Sequence, residues 1–216
     1  MEAVLYGSWI FEMTDRAGAD VLDLDAQLML RFKEGDTEAF DRLFNKYLRR
    51  IVNFAYRFVR NREVAEELAQ DIFLKVYENG AGYQAHAKFT SWIYRIATNV
   101  CLNEIRKPQY RARHESLYIS QDRSGEGEEI RLAVKTAAGP DAALQRQAIG
   151  RVIGDALEQI PEKQRIAFLL NKYQELSYAE VADVMHMSEK AVKSLIHRAK
   201  EALAERLKPL VAELVS

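Results

Sequence analysis

The chain has 216 residues, 48% of them hydrophobic and 29% charged, with a net charge of −1 and a single cysteine. That length allows one large domain or two small ones, and the composition excludes a collagen-like or wholly disordered chain. One cysteine excludes an internal disulfide and a cysteine-rich zinc site, and no apolar run approaches the roughly 20 residues that span a bilayer. Nor does near-neutral charge suit a domain that holds duplex DNA unaided, since phosphate neutralisation supplies much of such affinity.

Residues 1–22 hold Trp9, Phe11 and Met13 without a clear period, and read as a flexible lead-in. They lack the basic start and sustained apolar core of a secretory signal, so a cytoplasmic protein with no membrane insertion is expected.

Residues 23–107 read as consecutive helices. Asp36 is placed to cap a long one in which Phe40, Leu43, Phe44, Tyr47, Leu48, Ile51, Phe54, Ala55 and Phe58 recur at three- and four-residue steps. Arg60-Asn61-Arg62 interrupts it, and Asn61 can cap a second helix with Ala65, Leu68, Ala69, Ile72, Phe73 and Val76 inside. The outward positions Glu67, Gln70, Asp71 and Leu74 share one face of that helix, where they suit either a single partner helix or water.

A loop with Gly80 and Gly82 leads to a third helix from about Thr90 to Lys107, stopped by Pro108. Ile93, Ile96, Ala97 and Val100 form its inner face; Arg95, Asn99, Asn103 and Arg106 form another, with Trp92 at its start. Between Lys88 and Arg113 the cations Lys88, Arg95, Arg106, Lys107, Arg111 and Arg113 meet only Glu104. Cations and an aromatic beside a loop suit single-stranded nucleic acid, whose bases stack on rings. Trp92 would equally fit a core.

Residues 108–147 read as a linker, polar and glycine-bearing around 120–129 and punctuated by Gly139-Pro140-Asp141. Residues 148–208 form a second helical unit, followed by a tail at 209–216. Val152, Ile153, Ala156, Leu157 and Ile160 make one face; Pro161 opens a helix with Ile166, Leu169, Leu170 and Tyr173 inside.

Ser177-Tyr178-Ala179-Glu180 fits a capping box opening a short helix with Val181, Ala182 and Met185. His186-Met187 makes a turn, and Ser188 can cap a longer helix through Val192, Leu195, Ile196, Ala199 and Leu203. This is a helix-turn-helix pattern, in which the second helix sets its first residues against base edges in the major groove. Those residues are Ser188, Glu189, Lys190, Ala191, Lys193, Ser194, His197 and Arg198; Lys193, Arg198 and Lys200 would also suit a solvated face.

The runs Ile160-Pro161-Glu162-Lys163-Gln164-Arg165, Leu176 to Ala182 and Val192 to Ala199 resemble the fourth conserved region of bacterial sigma factors, with His186 where many members have glycine. Residues 25–107, through Glu66 to Tyr77 and Phe89 to Asn99, resemble region two. The resemblance is to the two-domain extracytoplasmic-function type and implies an all-α protein of two small helical domains. By it, Glu67, Gln70, Asp71 and Leu74 dock on the clamp helices of the largest subunit of core RNA polymerase, whose flap is a further contact. Lys88, Trp92, Arg95, Asn99, Asn103 and Arg106 face the −10 element as it opens, and the loop from Gly80 to Ala87 forms much of a pocket for an unstacked base. Ser188, Glu189, Lys190, Lys193, Ser194, His197 and Arg198 read the −35 element as duplex.

An anti-sigma protein is the further partner implied. His86, His114, His186 and His197 are scattered without metal-ligand spacing, and no nucleophile or nucleotide-binding signature appears, so no enzyme, metal or cofactor is expected. A stand-alone helix-turn-helix regulator is the competing reading, and the near-neutral charge weighs against it.

Overall fold

A computed structural model describes residues 23–85, 88–110, 150 and 152–215, with side chains to residue 208. The expected lead-in, most of the linker, His86, Ala87, Arg111 and Arg113 lie outside the described residues. Among those described the chain is all helix, with no strand. The helices are α1 (Leu24–Lys33), α2 (Thr37–Val59), α3 (Arg62–Glu78), α4 (Phe89–Arg106), α5 (152–158), α6 (Glu162–Tyr173), α7 (Tyr178–Met185) and α8 (Glu189–Val215). None of the described helices is long and apolar enough to cross a membrane.

Short polar side chains fix where the first three helices begin. Asp23 accepts from the Ala26 amide, Asp36 from Ala39 and Asn61 from Val64, each satisfying a donor that the first turn would leave orphaned. Arg60 ends α2 in the left-handed conformation (φ 49°), turning the chain sharply into α3.

The inner stripe of α2 is only partly the one its periodicity suggests. Leu43, Tyr47, Ile51, Phe54, Ala55 and Phe58 are buried, whereas Phe40, Phe44 and Leu48 are half-buried. Phe40 and Phe44 turn toward α3 instead, where the Phe44 ring centre lies 4.7 Å from that of Phe73 and Phe40 lies 5.3 Å from Tyr77. Such tilted and edge-on ring pairs add to plain area burial.

Against the other side of α2 rests α4. Tyr47 meets Phe89 at 5.3 Å and Phe54 meets Tyr94 at 5.3 Å, both edge-on. Cys101 is wholly buried, and burial pushes its thiol pKa well above the ordinary range. A 3₁₀ turn at Gly80–Gly82 follows α3, pressed so closely on α1 that a Cβ at Gly80 would fall 2.6 Å from the Phe32 ring.

The second unit forms around Ala156, Leu157, Ile160, Ile166, Leu169, Leu170, Val181, Val192, Ile196 and Ala199. Pro161 is the N-cap of α6 rather than its first helical residue (ψ 139°). Val184 is buried together with Val181 and Ala182, and Met185 packs half-buried against the same core. The last helix continues through position 209 to Val215. The two units share one contiguous apolar core, with α7 resting on α4.

Candidate nucleic-acid interface

The helix-turn-helix is built by local chemistry. The Ser177 hydroxyl accepts from the Glu180 amide at 3.2 Å while the Glu180 carboxylate accepts from the Ser177 amide at 2.7 Å, the reciprocal pair of a capping box. Burial raises the Glu180 pKa, but the bonds from Ser177 and Lys88 outweigh it and hold the carboxyl below its usual range. His186 closes α7 at φ 52°, so the turn adopts the left-handed conformation that histidine tolerates better than a branched residue. The Ser188 hydroxyl then accepts from the Ala191 amide at 3.2 Å and starts α8.

Ser188, Glu189, Lys190, Lys193, Ser194, His197 and Arg198 are all exposed along the first turns of α8, with Ala191 half-buried beneath them. Lys193 pairs with Glu189 at 2.9 Å and lies 5.5 Å from the centre of the Tyr178 ring. His197 lies 3.3 Å from Glu201. These are exposed pairs one helical turn apart, weak enough to exchange for another partner.

The face of α4 is different in kind. Trp92 is half-buried, its ring edge-on to Tyr83 at 5.0 Å and tilted to Phe89 at 5.9 Å. Asn99 and Asn103 are exposed. The cations around them are engaged by the second unit: Lys88 pairs with Glu180 at 3.1 Å, Arg106 with Glu162 at 2.7 Å, and Arg95 donates to the Asp183 carbonyl at 2.8 Å. Arg95 is half-buried, and burial lowers its pKa. Its Nε is buried with no hydrogen-bond partner.

Glu67, Gln70, Asp71 and Leu74 are all exposed on α3. Leu74 is 56% exposed, and so is Tyr77, at 53%, three residues further on. The sequence reading missed Tyr77 as part of this face, although three-residue spacing from Leu74 is a signal for it. It also missed Tyr83, which forms the floor beneath Trp92.

Two family models match the chain: Sigma-70 region 2 over residues 43–111 and Sigma-70 region 4 over residues 150–203. The RNA polymerase sigma-H factor of Pseudomonas aeruginosa is 33% identical over 189 residues, 88% of this chain and 96% of that protein. The chain belongs to the RNA polymerase sigma factors. A second relative of this sigma factor is the ECF RNA polymerase sigma factor SigW of Bacillus subtilis, 31% identical over 82% of the chain and 94% of the relative. The ECF sigma-E factor of Escherichia coli is 27% identical over 87% and 96%.

Solved structures share its fold. CnrH, in complex with the cytosolic domain of CnrY, matches with a TM-score of 0.64 at 21% identity, over 87% of this chain and 99% of that one. RpoE of Bartonella quintana, described as a sigma factor in complex with the anti-sigma factor NepR, matches with a TM-score of 0.56 at 22% identity, over 78% and 96%. A sigma factor is a transcription initiation factor, and its family is not one of enzymes.

Proposed function

We propose that this chain is an alternative sigma factor that binds core RNA polymerase, recognises promoters through two separate readers and is held in check by an anti-sigma protein. The observation that carries this reading is the capped, fully exposed start of α8: Ser188, Glu189, Lys190, Lys193, Ser194, His197 and Arg198 on the second helix of a helix-turn-helix. That arrangement suits base edges in the major groove, and the family assigns it to the −35 element.

Residues 23–107 are the unit for polymerase docking and the −10 element, and 148–208 the unit for −35. Glu67, Gln70, Asp71 and Leu74 offer polymerase an acidic face with an apolar end, which Tyr77 extends. Trp92, Asn99 and Asn103, flanked by Lys88, Arg95 and Arg106, suit an opened strand: a ring for bases, amides for their edges and cations for phosphates. An anti-sigma protein is the controlling partner this reading expects, and RpoE of Bartonella quintana, which shares the fold, was solved in complex with one. Nothing in this role calls for catalysis, and it is exercised in the cytoplasm.

Run-off transcription tests the reading, with purified core polymerase and a promoter upstream of the chain's own operon. A specific transcript is expected. A tight shift of that duplex without polymerase, and no transcript with it, would favour a stand-alone regulator instead. Gln70→Ala with Asp71→Lys should weaken holoenzyme formation, and unchanged assembly would refute the docking face.

A further inference from the structure

α2 carries a surface that neither reader uses. From Arg42 to Arg62 the sequence holds seven cations and no acid, a stronger local excess than the one around α4. Helical spacing gathers Arg42, Asn45, Lys46, Arg49 and Asn53 onto one side of α2, and all five are exposed. That face runs for about 17 Å at 1.5 Å per residue. Arg42 and Arg49 have no ion-pair or hydrogen-bond partner among the described residues. Such a face calls for an anion.

One acid already lies on it. Asp25, in the first turn of α1, holds Lys46 Nζ at 2.6 and 2.7 Å and accepts from the Tyr47 hydroxyl at 2.6 Å. The described chain starts at Asp23, within two residues of this contact, so whatever precedes α1 enters beside the middle of the cationic face. The preceding segment has the complementary composition. Residues 1–22 carry Glu2, Glu12, Asp15 and Asp20 against Arg16 alone, with Trp9 and Phe11 among them.

We propose that the segment before α1 docks along the exposed cationic face of α2, its carboxylates meeting Arg42 and Arg49 on either side of the Asp25–Lys46 pair. Reach allows it. Asp20 and Asp15 stand three and eight residues before Asp23. Those spans extend to about 10 and 26 Å, while Arg42 and Arg49 lie within about 6 Å of Lys46 along the helix. Trp9 and Phe11 offer flat rings on which a guanidinium can stack. Other faces fit less well. On α3 the exposed Glu63, Glu66, Glu67 and Asp71 would repel the segment, and on α8 Lys193 and His197 already face Glu189 and Glu201.

Exposed ion pairs are weak singly, but a short tether keeps the segment at high effective concentration, so several can act together. Docked, it competes for anions: the phosphates of a nucleic-acid strand reach Arg42 and Arg49 only where it has lifted. Docking of this kind depends on neither the reading of α4 nor that of α8.

The test uses the full chain and chymotrypsin cleavage after Phe11, each rate divided by that of a free peptide 1–22 with the same sequence. At low salt the unaltered chain should be cut about tenfold more slowly than its peptide, because cleavage follows the undocked fraction. Arg42→Glu with Arg49→Glu should bring the ratio to one, with the helical circular dichroism retained. Adding Asp15→Arg with Asp20→Arg to that variant reverses the charges on both sides and should restore protection. An unprotected unaltered chain, a ratio unmoved by the first pair, or no restoration by the second would overturn docking.

Binding of oligothymidylate tests the competition. Asp15→Asn with Asp20→Asn should bind about tenfold more tightly than the unaltered chain, the factor by which a mostly covered population lowers apparent affinity. Glu63→Gln with Glu78→Gln makes an equal charge change on the exposed side of α3 and should add far less. Equal changes from the two pairs would overturn the competition. If run-off transcription fails, the sigma-factor role falls while the cleavage ratios still decide docking.

Discussion

The exposed start of α8 and the face of α4 are both polar helix surfaces with cations, yet they are made in opposite ways. The first is set by residues within about four positions of one another: Ser177 with Glu180, His186 at the turn, Ser188 with Ala191. The second is set by residues far apart in the chain, since Lys88, Arg95 and Arg106 find their partners at Glu180, Asp183 and Glu162. A locally made surface stays the same whatever the rest of the chain does. One made by distant contacts changes when those contacts part.

The contrast is broken most severely through the core. Phe54 is wholly buried, with its ring against Phe58 at 5.1 Å and Tyr94 at 5.3 Å. Phe54→Ala should lower stability by about 3–5 kcal/mol in a thermal or urea melt. Because Tyr94 carries the bond to Gln174, the same variant should loosen the contact between the two units while the α8 surface keeps its duplex affinity at temperatures where both units remain folded.

A functional test separates the two surfaces directly. Trp92→Ala with Arg95→Ala should slow promoter opening on duplex by about tenfold or more, the size of one lost stacking contact, and recover on a pre-melted bubble. Equal loss on both templates would remove α4 from strand opening. Ser177→Ala bears on the local side of the comparison: losing one half of the capping box should cost about 1 kcal/mol in a urea melt and weaken duplex binding.

The smallest expected effect is of pH. Burial, and then Arg95, lower the His186 pKa below its ordinary 6.5, with Asp183 opposing. The unfolded chain therefore takes up the proton first, so the contribution is present above pH 6.5 and is lost below it, as pH falls through the lower folded pKa. His186 is largely exposed, so the loss should be only a few tenths of a kcal/mol, roughly, in urea midpoints between pH 8 and 5.5. His186→Asn keeps the left-handed turn and should flatten the dependence.

The same division explains what could be read without coordinates. Helix starts at Asp36, Asn61, Ser177 and Ser188 were legible because a cap and the amide it serves are neighbours. The polar faces of α3 and α8 were legible from spacing alone. Phe40 and Phe44 were misplaced because helical period gives a stripe but not which neighbour covers each part of it. Nothing near Tyr94 in sequence announces Gln174, and nothing near Arg60 announces Gly154: eighty and more residues separate each pair. Those contacts became visible only once both units were in place.

Cys101 lies under all of this, sealed in the core with its thiol held in the protonated form. Only the thiolate attacks disulfides or yields readily to oxidants. As the single cysteine of the chain, it offers no reactive thiolate while folded. Any oxidative signal acting through thiols would have to be sensed by another molecule and delivered here as a binding event.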